Sequence, residues 1–119
     1  MPIFITYNKD ENISSVVEYK DKFIDAGTMQ WMSKHSRYLE SPEIRKIINS
    51  DELGMKNFLF VKRSDSDDNA DFYYLGKVHV MSAVDDTDRD EKGKDYSVVK
   101  FKLGLEHPVR HDIYEYLTA

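Results

Sequence analysis

The chain has 119 residues, enough for one domain with a single hydrophobic core. It is 40% hydrophobic and 13% aromatic, which excludes intrinsic disorder. The absence of cysteine excludes disulfides and thiolate chemistry, and the net charge of −5 argues at first against a polyanionic partner.

The N-terminus, Met1 to Glu11, lacks a basic segment followed by a long apolar one, so we expect no signal peptide. No apolar run approaches the roughly 20 residues of a membrane span, and a cytoplasmic protein with no membrane partner is expected. The acidic charge is concentrated. The stretches 64–71 and 85–91 hold 9 of the 22 acids and 1 of the 17 bases, leaving a balance of +3 over the rest. Both stretches read as loops that keep the surface soluble.

Ile3-Phe4-Ile5-Thr6-Tyr7 reads as an opening strand, rich in β-branched and aromatic residues. Ile13 to Tyr19 fits either a helical or a strand spacing. Lys22 to Ile24 is a short strand, broken by Asp25-Ala26-Gly27. Thr28 to Ser33 is the next, with Met29 and Trp31 on one face because side chains alternate. Ser33 to Glu40 is a polar, basic loop. Ser41-Pro42-Glu43 carries the start signals of a helix whose apolar stripe is Ile44, Ile47 and Ile48. Asn57 to Arg63 and Phe72 to Val80 form a hairpin across the first acidic stretch, and Gly76 suggests a bulge or a close approach of another backbone. The second acidic stretch leads to a half-buried strand, Tyr96 to Leu105, and Asp112 to Leu117 reads as a short closing helix. About six strands, two short helices and no βαβ alternation predict an α+β domain on a strongly curved antiparallel sheet, tending to a barrel.

Familiar catalytic and metal signatures are missing. The five glycines are isolated, and no HExxH or EF-hand pattern occurs. His107 and His111 are four apart, but Pro108 between them speaks against a shared helical face and a zinc site. We expect no metal, no cofactor and no catalytic residue, and a binding module ahead of an enzyme. Glu18 to Ile44 is the stretch richest in binding chemistry. It combines Tyr19, Asp21, Phe23 and the sole tryptophan, Trp31, with the basic cluster Lys34-His35-Ser36-Arg37. Rings, a carboxylate and cations are what a site for a flat base and a phosphate backbone requires. A buried tryptophan beside a solvated basic loop would give the same composition.

The order of motifs resembles a known family. It runs Tyr19-x-Asp21-x-Phe23, Met29-Gln30-Trp31-Met32-Ser33 and Arg37-x-Leu39-Glu40-Ser41-Pro42-Glu43-Ile44. Phe58-Leu59-Phe60-Val61-Lys62-Arg63-Ser64-Asp65, Phe72-Tyr73-Tyr74-Leu75-Gly76 and Tyr114-Glu115-Tyr116-Leu117 follow. This is similar to the DUF3427 domain, which follows helicase motors, and especially to the C-terminal domain of a type IV restriction endonuclease. The resemblance covers nearly the whole chain, 1–119.

It implies an SRA-like, PUA-related curved β-barrel with two or three short helices. It implies a reader of 5-methylcytosine, and of 5-hydroxymethylcytosine, in double-stranded DNA. The parent's nuclease and helicase domains would be its partners, and the reader itself would not cleave. Under that reading the base is flipped into a pocket. Trp31 and Tyr19 are the expected walls, with Phe23 or Tyr73 as alternates, Asp21 as acceptor for the cytosine amino group and Ser33 as a donor. Lys34, Ser36, Arg37 and Ser41 would hold the DNA backbone, extended by Lys62 and Arg63. Two competing readings are a regulatory module that docks on a helicase partner and a reader of RNA. The first expects a contiguous apolar surface patch.

Overall fold

The structure is a computed structural model that describes residues 1–7, 21–63, 71–90 and 92–119. Its elements are β1 (Pro2–Tyr7), β2 (Lys22–Asp25), β3 (Thr28–Met32), α1 (Pro42–Ile48), β4 (Asn57–Arg63), β5 (Tyr73–Arg89), β6 (Asp95–Leu105) and α2 (His111–Thr118). The segment Ile13 to Tyr19 and nearly all of the first acidic stretch lie outside the described residues.

The six strands form one sheet in the order β1-β4-β5-β6-β3-β2. Four of the five pairings are antiparallel. The outermost, β1 with β4, is parallel, so the sheet is mixed. Parallel neighbours cannot be joined by a tight turn, and some fifty residues separate these two. The sheet curls until its two edge strands approach, with the Tyr7 ring of β1 5.7 Å from the Phe23 ring of β2. This is the curved α+β architecture expected from the sequence.

One face of every strand is apolar and turns inward. Ile3 and Ile5, Leu59 and Val61, Val78, then Val99, Phe101 and Leu103, and lastly Met29 and Phe23 make one continuous core. The helices close it. Ile44 of α1, Leu117 of α2 and Val109 just before α2 are buried in the same cluster. Each such side chain contributes about 1.5–3 kcal/mol by leaving water.

Local chemistry explains most boundaries. Pro42 sits at the first turn of α1, where its missing N–H costs no hydrogen bond. The Ser41 side chain does not cap that helix; its Oγ accepts the Tyr38 amide at 2.9 Å. Gly76 takes φ +96° where the β4–β5 register shifts between Leu59 and Phe60, the bulge its position implied.

One boundary moved. Asp85 to Arg89 is not a loop but the end of the 17-residue strand β5, paired with β6 as far as Arg89 opposite Asp95. No glycine or proline interrupts residues 77–92, and two cross-strand ion pairs link this end of β5 to β6. Lys100 Nζ lies 2.9 Å from Asp86 Oδ2, and Arg89 Nε lies 2.9 Å from Asp95 Oδ1.

Candidate nucleic-acid interface

The β2–β3 hairpin sets the first cluster. Phe23 pairs with Met29 and Lys22 with Gln30, so continuing the register places Asp21 opposite Trp31. Directly opposed residues share a face, so Asp21 and Trp31 stand together at the rim of the core, both half-buried. The Trp31 ring stacks on Phe101, its cross-strand neighbour in β6, at 5.1 Å and 28°. Asp21 Oδ1 accepts the Met32 amide at 2.9 Å, which fixes the carboxylate beside the tryptophan.

Ser33 extends this rim but spends its hydroxyl on the backbone. Its Oγ accepts the Val99 amide at 2.8 Å and donates to the Lys34 carbonyl at 2.9 Å. Phe23 is buried in the core between Tyr7 and Tyr114, with the latter ring edge-on at 5.4 Å. Tyr73 lies at the start of β5, opposite Val61 of β4 and 5.7 Å from Tyr116 of α2. Tyr19 lies outside the described residues. Of the six expected pocket residues, the structure therefore brings Asp21, Trp31 and Ser33 together, sets Phe23 beneath them in the core and separates Tyr73.

The basic loop follows β3 directly. Arg37 pairs with Glu43 of α1, and its Nη1 donates to the His35 carbonyl at 3.1 Å. The Arg37 amide donates to Ser97 O at 3.1 Å, tying the loop to β6. Ser36 takes the left-handed φ of +61°, an uncommon conformation for a residue with a Cβ. Lys34 and Ser36 are exposed, and Ser41 Oγ is occupied by the Tyr38 amide. Lys62 and Arg63 stand apart at the end of β4, two strands from β6. Lys62 Nζ sits 5.0 Å above the Phe72 ring, and Arg63 Nη1 donates to the Tyr116 carbonyl at 3.1 Å.

Sequence reasoning missed the groups that hold the basic loop in place. His35 Nε2 lies 2.6 Å from Asp88 Oδ2, and the imidazole stacks on Tyr96 at 4.3 Å and 10°. The Leu39 amide donates to Asp85 Oδ1 at 3.0 Å. The second acidic stretch is thus the clamp of the basic loop, on top of any solubilising part. The Lys100 ammonium, hydrogen bonded to Asp86, holds that carboxyl below its ordinary value, and the Thr87 amide helps. The Lys94 amide does the same first for Asp90. The absence of glycine and proline from residues 77–92 was the available signal that these acids belong to a strand.

Among the described residues no three histidine or carboxylate side chains gather as a metal site. His111 Nε2 instead pairs with Glu115 at 3.0 Å. No described helix is long and apolar enough to cross a membrane.

A family model for a domain of unknown function, DUF3427, matches residues 1–117. No curated protein matches the chain. Among solved structures, the crystal structure of KRYPTONITE in complex with mCHG DNA and SAH superposes with a TM-score of 0.54 at 14% identity. The match covers 92% of this chain and 23% of the KRYPTONITE chain, so this chain spans less than a quarter of that protein. The likeness is one of fold: a mixed, curled six-stranded sheet with two short helices, of the SRA-like type.

Proposed function

The chain belongs to the DUF3427 family, and on that premise we propose that it is a DNA-binding reader of 5-methylcytosine in duplex DNA. The observation that carries this reading is the Asp21 carboxylate fixed beside the half-buried Trp31 ring, on a fold that KRYPTONITE presents in complex with mCHG DNA.

A cytosine inside a duplex offers no ring face, so reading it by stacking requires extrusion, which costs a few kcal/mol. One aromatic stack returns roughly 1–3 kcal/mol, and a carboxylate accepting from the cytosine amino group adds specificity. Trp31 supplies the stack, braced from behind by Phe101. Asp21 supplies the acceptor, its carboxylate held beside Trp31 by the Met32 amide. Lys34 and the clamped Arg37 loop lie next along the chain and hold the backbone around the extruded nucleotide. The reader recognises 5-hydroxymethylcytosine by the same contacts, serves as the targeting module of a type IV restriction endonuclease and leaves cleavage to nuclease and helicase partners.

The test is a titration of the domain against two duplexes of identical sequence, one carrying 5-methylcytosine, at two salt concentrations. Tighter binding of the methylated duplex is the expected result. Equal binding would reduce the domain to a nonspecific DNA module. No binding by folded protein would favour a module that docks on a helicase partner.

A further inference from the structure

The outer face of β1, β4 and β5, opposite the core, carries rings where strands normally carry polar groups. Strand pairing sets Phe4, Phe60 and Tyr74 side by side in one row across the three strands. Phe4 stacks on Phe60 at 4.9 Å, and Phe60 meets Tyr74 at 5.1 Å. The two flanking rings are open to solvent, Phe4 57% and Tyr74 58% exposed.

A lysine borders this row on each side. Lys77 pairs with Phe58 in the row toward the start of β4. Lys62 stands in the row toward its end, above Phe72, whose ring meets Phe4 edge-on at 5.2 Å. The paired positions of this face hold no carboxylate, in a protein of net charge −5; exposed Asp71 follows at the Phe72 end. Lysine is depleted where proteins meet proteins, whereas rings flanked by ammonium groups suit bases joined by phosphates. Rows along a strand repeat at about 6.8 Å, close to the spacing of successive bases in an extended single strand. Duplex bases cover one another and offer nothing to such a surface.

We propose that this outer face is a separate, sequence-tolerant binding site for single-stranded nucleic acid, with Phe4 and Tyr74 as stacking platforms and Lys62 and Lys77 as phosphate contacts. It is distinct from the Asp21–Trp31 rim, which lies on the core face of β2 and β3.

The experiment is fluorescence anisotropy of a labelled oligothymidylate of about ten nucleotides, within the site size of known single-strand platforms. The domain should bind it with a log–log salt slope near −1.4, about 0.7 for each of two phosphates. Phe4→Ala and Tyr74→Ala should each weaken binding roughly 5- to 150-fold, the loss of one stacked base. Lys77→Glu should weaken binding and flatten the slope. All three positions are exposed, so circular dichroism should be unchanged, and preference for methylated duplex should persist. The proposal fails if folded protein does not bind at low salt, if the ring variants bind as well as the parent, or if unlabelled unmethylated duplex competes equally. It also fails if sedimentation shows self-association that Phe4→Ala abolishes, which would make the face a protein interface.

Discussion

Replacing Trp31 with alanine separates a ligand-stacking ring from a core ring. A fully buried tryptophan costs about 3–5 kcal/mol on truncation. Trp31 is half-buried, with its stacking contact on Phe101 at 5.1 Å, so the loss should be nearer 2 kcal/mol. A domain of this size holds about 5–15 kcal/mol of stability, so the variant should remain folded. Its affinity for the methylated duplex should fall by about 5- to 150-fold, the worth of one stacked base. Trp31 is the sole tryptophan, so its fluorescence in the parent reports the same event directly: stacking on a base should quench it. Trp31→Phe keeps a ring against Phe101 and should lie between parent and alanine. The reasoning is refuted if Trp31→Ala binds methylated DNA like the parent, or loses both duplexes equally. A variant that unfolds would assign Trp31 to the core.

Asp21→Asn keeps an oxygen for the Met32 amide but removes the charge. Affinity for methylated duplex should drop several-fold with little change in melting temperature, whereas an equal drop for unmodified duplex would remove Asp21 from base reading. Lys34→Ala combined with Arg37→Ala should weaken all duplexes and flatten the salt slope by about 0.9 per lost phosphate contact. An unchanged slope would move the backbone contacts elsewhere. Gly76→Ala places a Cβ on a backbone at φ +96° and should destabilise by about 1–3 kcal/mol in denaturant unfolding, although the space around it is open. The depressed pKa of Asp86 stabilises the fold above the ordinary carboxylate value and loses that contribution as pH falls through the lowered one. The stability gap between parent and Asp86→Asn should therefore be present at neutral pH and vanish in strong acid. It should be small, since an exposed pair is worth about 0.2–1 kcal/mol.

What the sequence revealed follows the range of the forces involved. Asn57–Arg63 was legible to the residue because an apolar run between polar boundaries specifies a strand locally. Gly76 announced its bulge because few other residues tolerate that φ. The parallel partnership of β1 with β4 was not legible, since nothing within Ile3 to Tyr7 names a partner fifty residues away. The acids at 85–88 were misread as a loop because their partners, Lys100, His35 and the Leu39 amide, come from other segments. At the rim, alternation put Trp31 on the face of Met29, but the Asp21–Met32 hydrogen bond needs the turn of the hairpin to form. Phe23 looked like a pocket wall because composition cannot separate a ring in the core from one at its mouth.

The parallel pairing of β1 also decides when the domain can come into being. The first strand emerges from the ribosome without its neighbour and must wait for residues 57–63. The last helix seals the same core with Leu117, which lies 110 residues beyond the end of β1 at Tyr7. Contacts of such long sequence separation are slow to form, because loop closure must be met before any burial repays it. Until β4 exists β1 has no strand to pair with, and until α2 docks the core face of the sheet lacks Leu117. Folding of this domain should therefore await both β4 and α2, and deleting β1 or α2 should remove the domain outright instead of shortening it.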